Sequence, residues 1–96
     1  MIYISIFGKE GCHLCENRLE FFSKIKKMNT DIEMKIDYYD VKTASGLVAF
    51  SLQNEVFDIP AVIMNNENGV LKNWNGATEV PNTKEVMAIF EGLKNG

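Results

Sequence analysis

Two short runs, "IYISIF" at 2–7 and "AVIM" at 61–64, are apolar on both of their alternating faces. A strand of that kind has to be covered on both sides, so it belongs in the middle of a sheet with helices above and below. The rest of the chain supplies neighbours and covers. After "GKEG" the apolar period lengthens: Cys15, Leu19 and Phe22 share one stripe, and Leu14, Phe21, Ile25 and Met28 widen it. That spacing predicts a helix from about Cys12 to Met28. "MKIDYYD" (34–40) alternates Met34, Ile36 and Tyr38 with Lys35, Asp37 and Tyr39, as an edge strand with one wetter face does. "TASGLVAFSLQ" (43–53) spaces Ala44, Leu47, Val48, Ser51 and Leu52 helically. Gly46 inside it weakens a helix by roughly 1 kcal/mol relative to Ala.

"NNENG" (65–69) is turn chemistry between "AVIM" and "VLKNW" (70–74), so the last two strands form a hairpin. Asn82 with Glu85 three residues on resembles a capping box before Val86, Ile89, Phe90 and Leu93. The order is therefore β-α-β-α-β-β-α. With right-handed crossovers and the doubly apolar strands inside, it predicts an α/β fold. Its four-stranded mixed sheet has order 2-1-3-4, with helices on both faces. One domain over residues 1–96 suffices, since a chain this long buries about 65% of its unfolded surface.

The chemistry is concentrated in "GCHLC", where the only two cysteines, Cys12 and Cys15, stand three apart at a strand–helix junction. A redox pair, half a zinc site and an inert buried pair all produce CxxC. Zinc needs about four ligands, and Cys12, Cys15 and the adjacent His13 are followed by no second CxxC. An inert pair, or a metal or iron–sulfur cluster shared between two chains, stays open at this stage. The redox reading has a physical advantage. The first turn of a helix leaves backbone N–H groups unpaired and carries partial positive charge, which favours a thiolate at Cys12. Cys15 falls one turn later on the apolar stripe. An exposed attacker and a sheltered resolver fit that asymmetry. Lys9 and His13 flank Cys12, and each is expected either to tune a thiolate or to stand as a solvated turn residue, a charged imidazole being unfavourable at a helix N-terminus.

Composition narrows the partners. Net charge is −3, so no basic field is available to hold nucleic acid or an anionic membrane. No apolar stretch is long enough to span a bilayer. "MIYISIFGKEG" lacks a positive n-region, and its apolar run is short for a signal peptide, so a mature cytoplasmic start is expected. Two cysteines are too few for a secreted disulfide scaffold.

The element order, "GCHLC" after the first strand and "DIPAV" entering the third resemble the thioredoxin superfamily in its short, glutaredoxin-like form, over essentially the whole chain. "VFDIPAVIMNNENGV" is similar to the thioredoxin segment that carries a cis-proline, and Gly-Cys-X-Leu-Cys-Glu to small glutaredoxin-like proteins. The resemblance implies a thiol–disulfide oxidoreductase. In it Cys12 is the nucleophile, Cys15 resolves, the two form the redox disulfide, and Ile59–Pro60 is cis. Gly11, His13, Ile59 and Pro60 then line the substrate groove. The implied partners are disulfide-bearing proteins and an electron donor, either a thioredoxin-reductase-type enzyme or glutathione. No metal or cofactor is implied, and a monomer is expected.

The departures bear on substrate. Thioredoxins have Trp before the nucleophile and Gly-Pro within the pair, where this chain has Gly11 and His13-Leu14. They place a buried Asp six residues before the nucleophile, where this chain has Ile6, so Cys15 must exchange its proton through water or another group. Glutaredoxins hold glutathione with Gly-Gly and following acids before the last helix. The nearest equivalent is "NGATEV" (75–80), with Gly76, Ala77 and Glu79. "WNGATEVPN" (74–82) is also distantly similar to ribonucleotide-reductase redoxins. Among the remaining residues, Trp74 is expected to pack on the sheet or close the hairpin, and "KIKK" (24–27) to face solvent. Asp58 is expected either to border the groove or to cap a turn.

Overall fold

A computed structural model of the chain describes residues 1–53 and 58–95. Among these the elements run β1 (Ile2–Gly8), α1 (His13–Met28), β2 (Met34–Asp40), α2 (Ala44–Ser51), β3 (Ala61–Asn66), β4 (Gly69–Asn75) and α3 (Thr83–Asn95). The sheet order is β2-β1-β3-β4. β1 runs parallel to β2 with Ile6 opposite Tyr38, and antiparallel to β3 with Phe7 opposite Ala61. β4 returns antiparallel to β3 and brings Asn75 opposite Ala61. The ends of β1, β2 and β4 and the start of β3 therefore share one edge of the sheet.

The core divides across the sheet as the doubly apolar strands require. Under α1 and α3, Ile2, Ile4, Ile6, Val62, Met64 and Trp74 meet Phe22, Ile25, Val86 and Phe90. On the other face Phe7, Ala61 and Ile63 pack with Tyr39, Ala49 and Phe50 under α2. α2 has only eight residues, about 12 Å of helix, so it covers only part of this face: Phe7 is buried while Tyr3 stays exposed.

α2 turns a different side to the sheet from the one its spacing suggested. Gly46 is buried and Ala49 and Phe50 are half-buried, whereas Leu47, Val48 and Leu52 are 56%, 58% and 72% exposed. Two contacts decide the rotation. Phe50 packs its ring on Phe7 with centroids 5.5 Å apart, and Phe7 also stacks on Tyr39. Gly46 lies so close to the Asp40 backbone carbonyl that a Cβ would collide with it. In β2 the outer face is likewise not simply wet, because Tyr39 is held against Phe7 while Tyr38 sits at 37% exposure. Leu14, Met28 and Leu93, expected on apolar stripes, are also exposed.

Glu85 is the other local revision. Asn82 caps α3, its Oδ1 accepting from the Glu85 N–H at 2.9 Å, but the Glu85 carboxylate does not complete a capping box. It accepts from the Trp74 indole N–H at 2.6 Å and pairs with Lys72, so it latches α3 to β4. A buried indole N–H needs an acceptor more than an exposed cap does.

Gly46→Ala provides a direct test of the close approach. Helix propensity alone predicts stabilisation, whereas the collision predicts a loss of roughly 1–3 kcal/mol, readable as a lower urea midpoint at unchanged slope.

Candidate active site

The end of β1 and the start of α1 are joined by Lys9–Cys12, with Gly11 at φ +78°, a conformation that suits glycine. The Cys12 amide donates to the Lys9 carbonyl at 3.4 Å, closing the turn. Cys12 then occupies the N-cap of α1 in extended conformation. Its Sγ accepts a hydrogen bond from the Cys15 amide at 3.1 Å, the position in which a Ser, Thr or Asp side chain normally satisfies an unpaired helical N–H. Cys12 and Cys15 form a disulfide, with Cα atoms 5.2 Å apart. Cys12 is half-buried and Cys15 is 0% exposed. His13 opens the helix as an exposed residue, and Lys9 is exposed in the preceding turn.

Across the sheet edge the loop into β3 carries a cis Ile59–Pro60 peptide bond. Pro60 is buried and Ile59 half-buried. β4 fastens this loop: the Gly76 amide donates to the Pro60 carbonyl at 2.9 Å, and the Asp58 amide donates to Asn75 Oδ1 at 3.0 Å. Asp58 is a turn residue, its carboxylate accepting from the Ile59 N–H at 3.0 Å. Its other oxygen lies over Gly76, 3.1 Å from where a Cβ would stand. Val56 and Phe57, within the segment that carries the resemblance, lie outside the described residues. The register thus brings Gly11, Cys12, Cys15, Ile59, Pro60 and Gly76 to one end of the sheet. Glu79 is exposed in the segment between β4 and α3. No group of three or more His, Cys, Asp or Glu among the described residues is arranged to hold a metal ion.

Two residues near this end escape a reading of the sequence. Arg18 stands on the Cys15–Phe22–Ile25 stripe and is only 4% exposed. Its Nε and Nη2 have no hydrogen-bond partner among the described residues, and burial lowers its pKa from the ordinary value. Tyr38 is the second. A Cβ on Gly8 would run into Tyr38 Oη and stand 2.8 Å from Cys15 Sγ, so the phenol and the Cys15 sulfur converge on one spot. Burial first, then the carboxylates of Asp40 and Glu16, raise the Tyr38 pKa above its usual value. The register places Tyr38 opposite Ile6, and its place on the Met34–Ile36–Tyr38 face is the sequence's pointer to it.

No protein-family model matches the chain, and no curated protein does. Solved structures do. Thioredoxin 1 from the thermophilic eubacterium Thermosipho africanus is similar at 22% identity and TM-score 0.61, over 97% of this chain and 94% of that one. Thioredoxin O1 from Arabidopsis thaliana, in the oxidised state, gives TM-score 0.66 at 12% identity over 96% and 77% of the two chains. A malarial protein gives TM-score 0.67 at 14% identity over 96% of each.

The difference in burial between the two sulfurs predicts their reactivity. In the reduced protein at neutral pH, iodoacetamide should label Cys12 at least about tenfold faster than Cys15, as read by mass spectrometry of quenched samples. Equal rates would remove the asymmetry.

Proposed function

From a thioredoxin fold with a cysteine pair at the head of its first helix, we propose a thiol–disulfide oxidoreductase that reduces protein disulfides. The observation that carries this reading is the N-cap cysteine whose Sγ receives the Cys15 amide. A hydrogen bond from that amide and the positive end of the helix both favour the anionic sulfur, which is the nucleophilic form. The Cys12 thiolate attacks a substrate disulfide, a mixed disulfide forms, and Cys15 displaces the reduced substrate, leaving Cys12 and Cys15 joined. Gly11, His13, Ile59 and Pro60 border the groove, where an extended substrate segment pairs with backbone beside the proline. The protein acts as a monomer in the cytoplasm, where dithiols are kept reduced, and an external donor restores the pair.

For that donor we infer a thioredoxin-reductase-type flavoenzyme rather than glutathione. The Gly76 amide is committed to the Pro60 carbonyl, and the Asp58 carboxylate stands over the Gly76 Cα. An anionic tripeptide there would lose a donor and face a like charge. Glu79, exposed, is the single acid after Gly76 and Ala77, where a glutathione site has Gly-Gly followed by several acids.

Insulin-disulfide reduction run with each reductant tests both levels. Turnover with NADPH and thioredoxin reductase should exceed turnover with glutathione and glutathione reductase by at least about tenfold. The reverse order selects a glutaredoxin. Absence of turnover with either, and with dithiothreitol, leaves a binding module. Cys12→Ser should abolish reduction, while Cys15→Ser should accumulate a mixed disulfide.

A further inference from the structure

Cys15 has a proton to lose and no evident way to lose it. It is fully buried, so it cannot hand a proton directly to solvent. Ile6, on the strand beneath, has no acid or base to offer.

Gly8 reveals what stands beside the sulfur. With no side chain of its own, it leaves open a spot that Tyr38 Oη, Cys15 Cβ and Cys15 Sγ all approach, the last two at 2.7 and 2.8 Å from a Cβ position. The register explains the meeting. Ile6 pairs with Tyr38 and Gly8 with Asp40, so Tyr38 reaches across the end of β1 under the first turn of α1. Its hydroxyl donates to the Lys9 carbonyl at 3.5 Å, a long bond that leaves the oxygen's lone pairs available to an S–H. The other side of the ring is wet. Tyr38 lines a surface cavity of about 380 Å³ with Lys9, Glu10, Glu16, Leu19 and Asp40.

We propose that Tyr38 is the proton relay of Cys15, connecting the buried sulfur to the carboxylate-lined cavity. The assignment rests on the role of Cys15 as resolving cysteine. When Cys12 holds a substrate sulfur, the Cys15 S–H proton passes to the phenol oxygen as the phenol's own proton leaves to water or to Asp40 or Glu16. The freed Cys15 electron pair forms the Cys12–Cys15 bond. The Cys12–substrate bond breaks, and its electron pair departs with the substrate thiolate, which takes a proton from water. The substrate disulfide is reduced by two electrons and the dithiol is oxidised by two. Because its pKa is raised, the phenol is protonated at neutral pH and works by passing a proton on, not as a standing phenolate. The charged groups facing it are Asp40 on its own strand, Glu16 on α1, and Lys9 and Glu10 in the intervening turn.

Single-turnover reaction of the reduced protein with 4,4′-dithiodipyridine separates the steps, because attack by Cys12 releases one thiopyridone and resolution by Cys15 releases a second. In Tyr38→Phe the second release should slow at least about tenfold at pH 7, the deficit shrinking as pH rises and hydroxide takes over. The first release should stay within about twofold of the parent. A folded Tyr38→Phe protein with an unchanged second release and pH profile overturns the relay and leaves the oxidoreductase reading intact. Failure of the first release in the parent overturns both. Should the variant not fold, 3-fluorotyrosine in place of the three tyrosines acidifies the phenol without altering its shape. The pH profile of the second release must then move to lower pH, and a profile that stays in place overturns the proposal. Tyr39 stacks on Phe7 on the opposite face of the sheet, away from Cys15, and Tyr3 lies near the far end of β1.

Discussion

β1 is bonded to a strand on each edge and covered by helices on each face, and every other element takes its position from that strand. Its alternate residues Ile2, Ile4 and Ile6 are fully committed to the α1–α3 side, while Phe7 anchors the α2 side. A strand so enclosed cannot slip, since a shift of one residue would exchange its two faces. Its end therefore fixes where α1 begins, and its antiparallel pairing with β3 fixes where Pro60 stands. Cys12 and Pro60 lie some 48 residues apart in sequence, yet one strand determines both positions.

The sheet, its order and the placement of the cysteine pair were legible because each follows from patterns longer than one residue. Doubly apolar runs, a helical stripe and a turn between two strands constrain one another. What was not legible depends on single contacts. Leu47, Val48 and Leu52 have the spacing of a buried face, but one glycine against a carbonyl and one aromatic ring on another turn α2 the other way. Such a rotation is decided by the closest approach, and periodicity does not report distance. Glu85 has the right offset for a capping box and goes instead to an indole N–H that tertiary packing brings within reach.

Arg18 illustrates a different limit. Helical periodicity assigns an arginine to the wet side by type, yet its stem fills the stripe between Cys15 and Phe22. Long basic side chains pack as apolar bodies along their methylenes, so the residue type conceals the packing role. Its unpaired donors oppose folding through lost hydration, a cost that desolvated charges without partners characteristically carry. The guanidinium also adds positive charge to the helix that begins with Cys12, in the same sense as the helix's own N-terminal field.

The two sides of the cysteine pair are built for opposite requirements. On the β3–β4 side the backbone is tied down: Gly76 to Pro60, Asp58 to Asn75, and Ile59 to the Asp58 carboxylate. In the proposed reaction that side would hold an extended chain in register, because little in it would have to move when substrate arrives. On the β2 side, Tyr38 Oη converges with the buried sulfur on the open spot at Gly8, at the edge of a cavity, its hydroxyl donating to the Lys9 carbonyl at 3.5 Å. In the proposed cycle a proton would cross there, and a loosely held, partly hydrated group is better suited to that than a rigid one. Ile6 and Cys15 are both fully buried, so neither gives the sulfur direct access to solvent. A neighbour that exchanges protons only with the cavity would, in the proposed cycle, tie resolution by Cys15 to the moment when Cys12 carries a substrate.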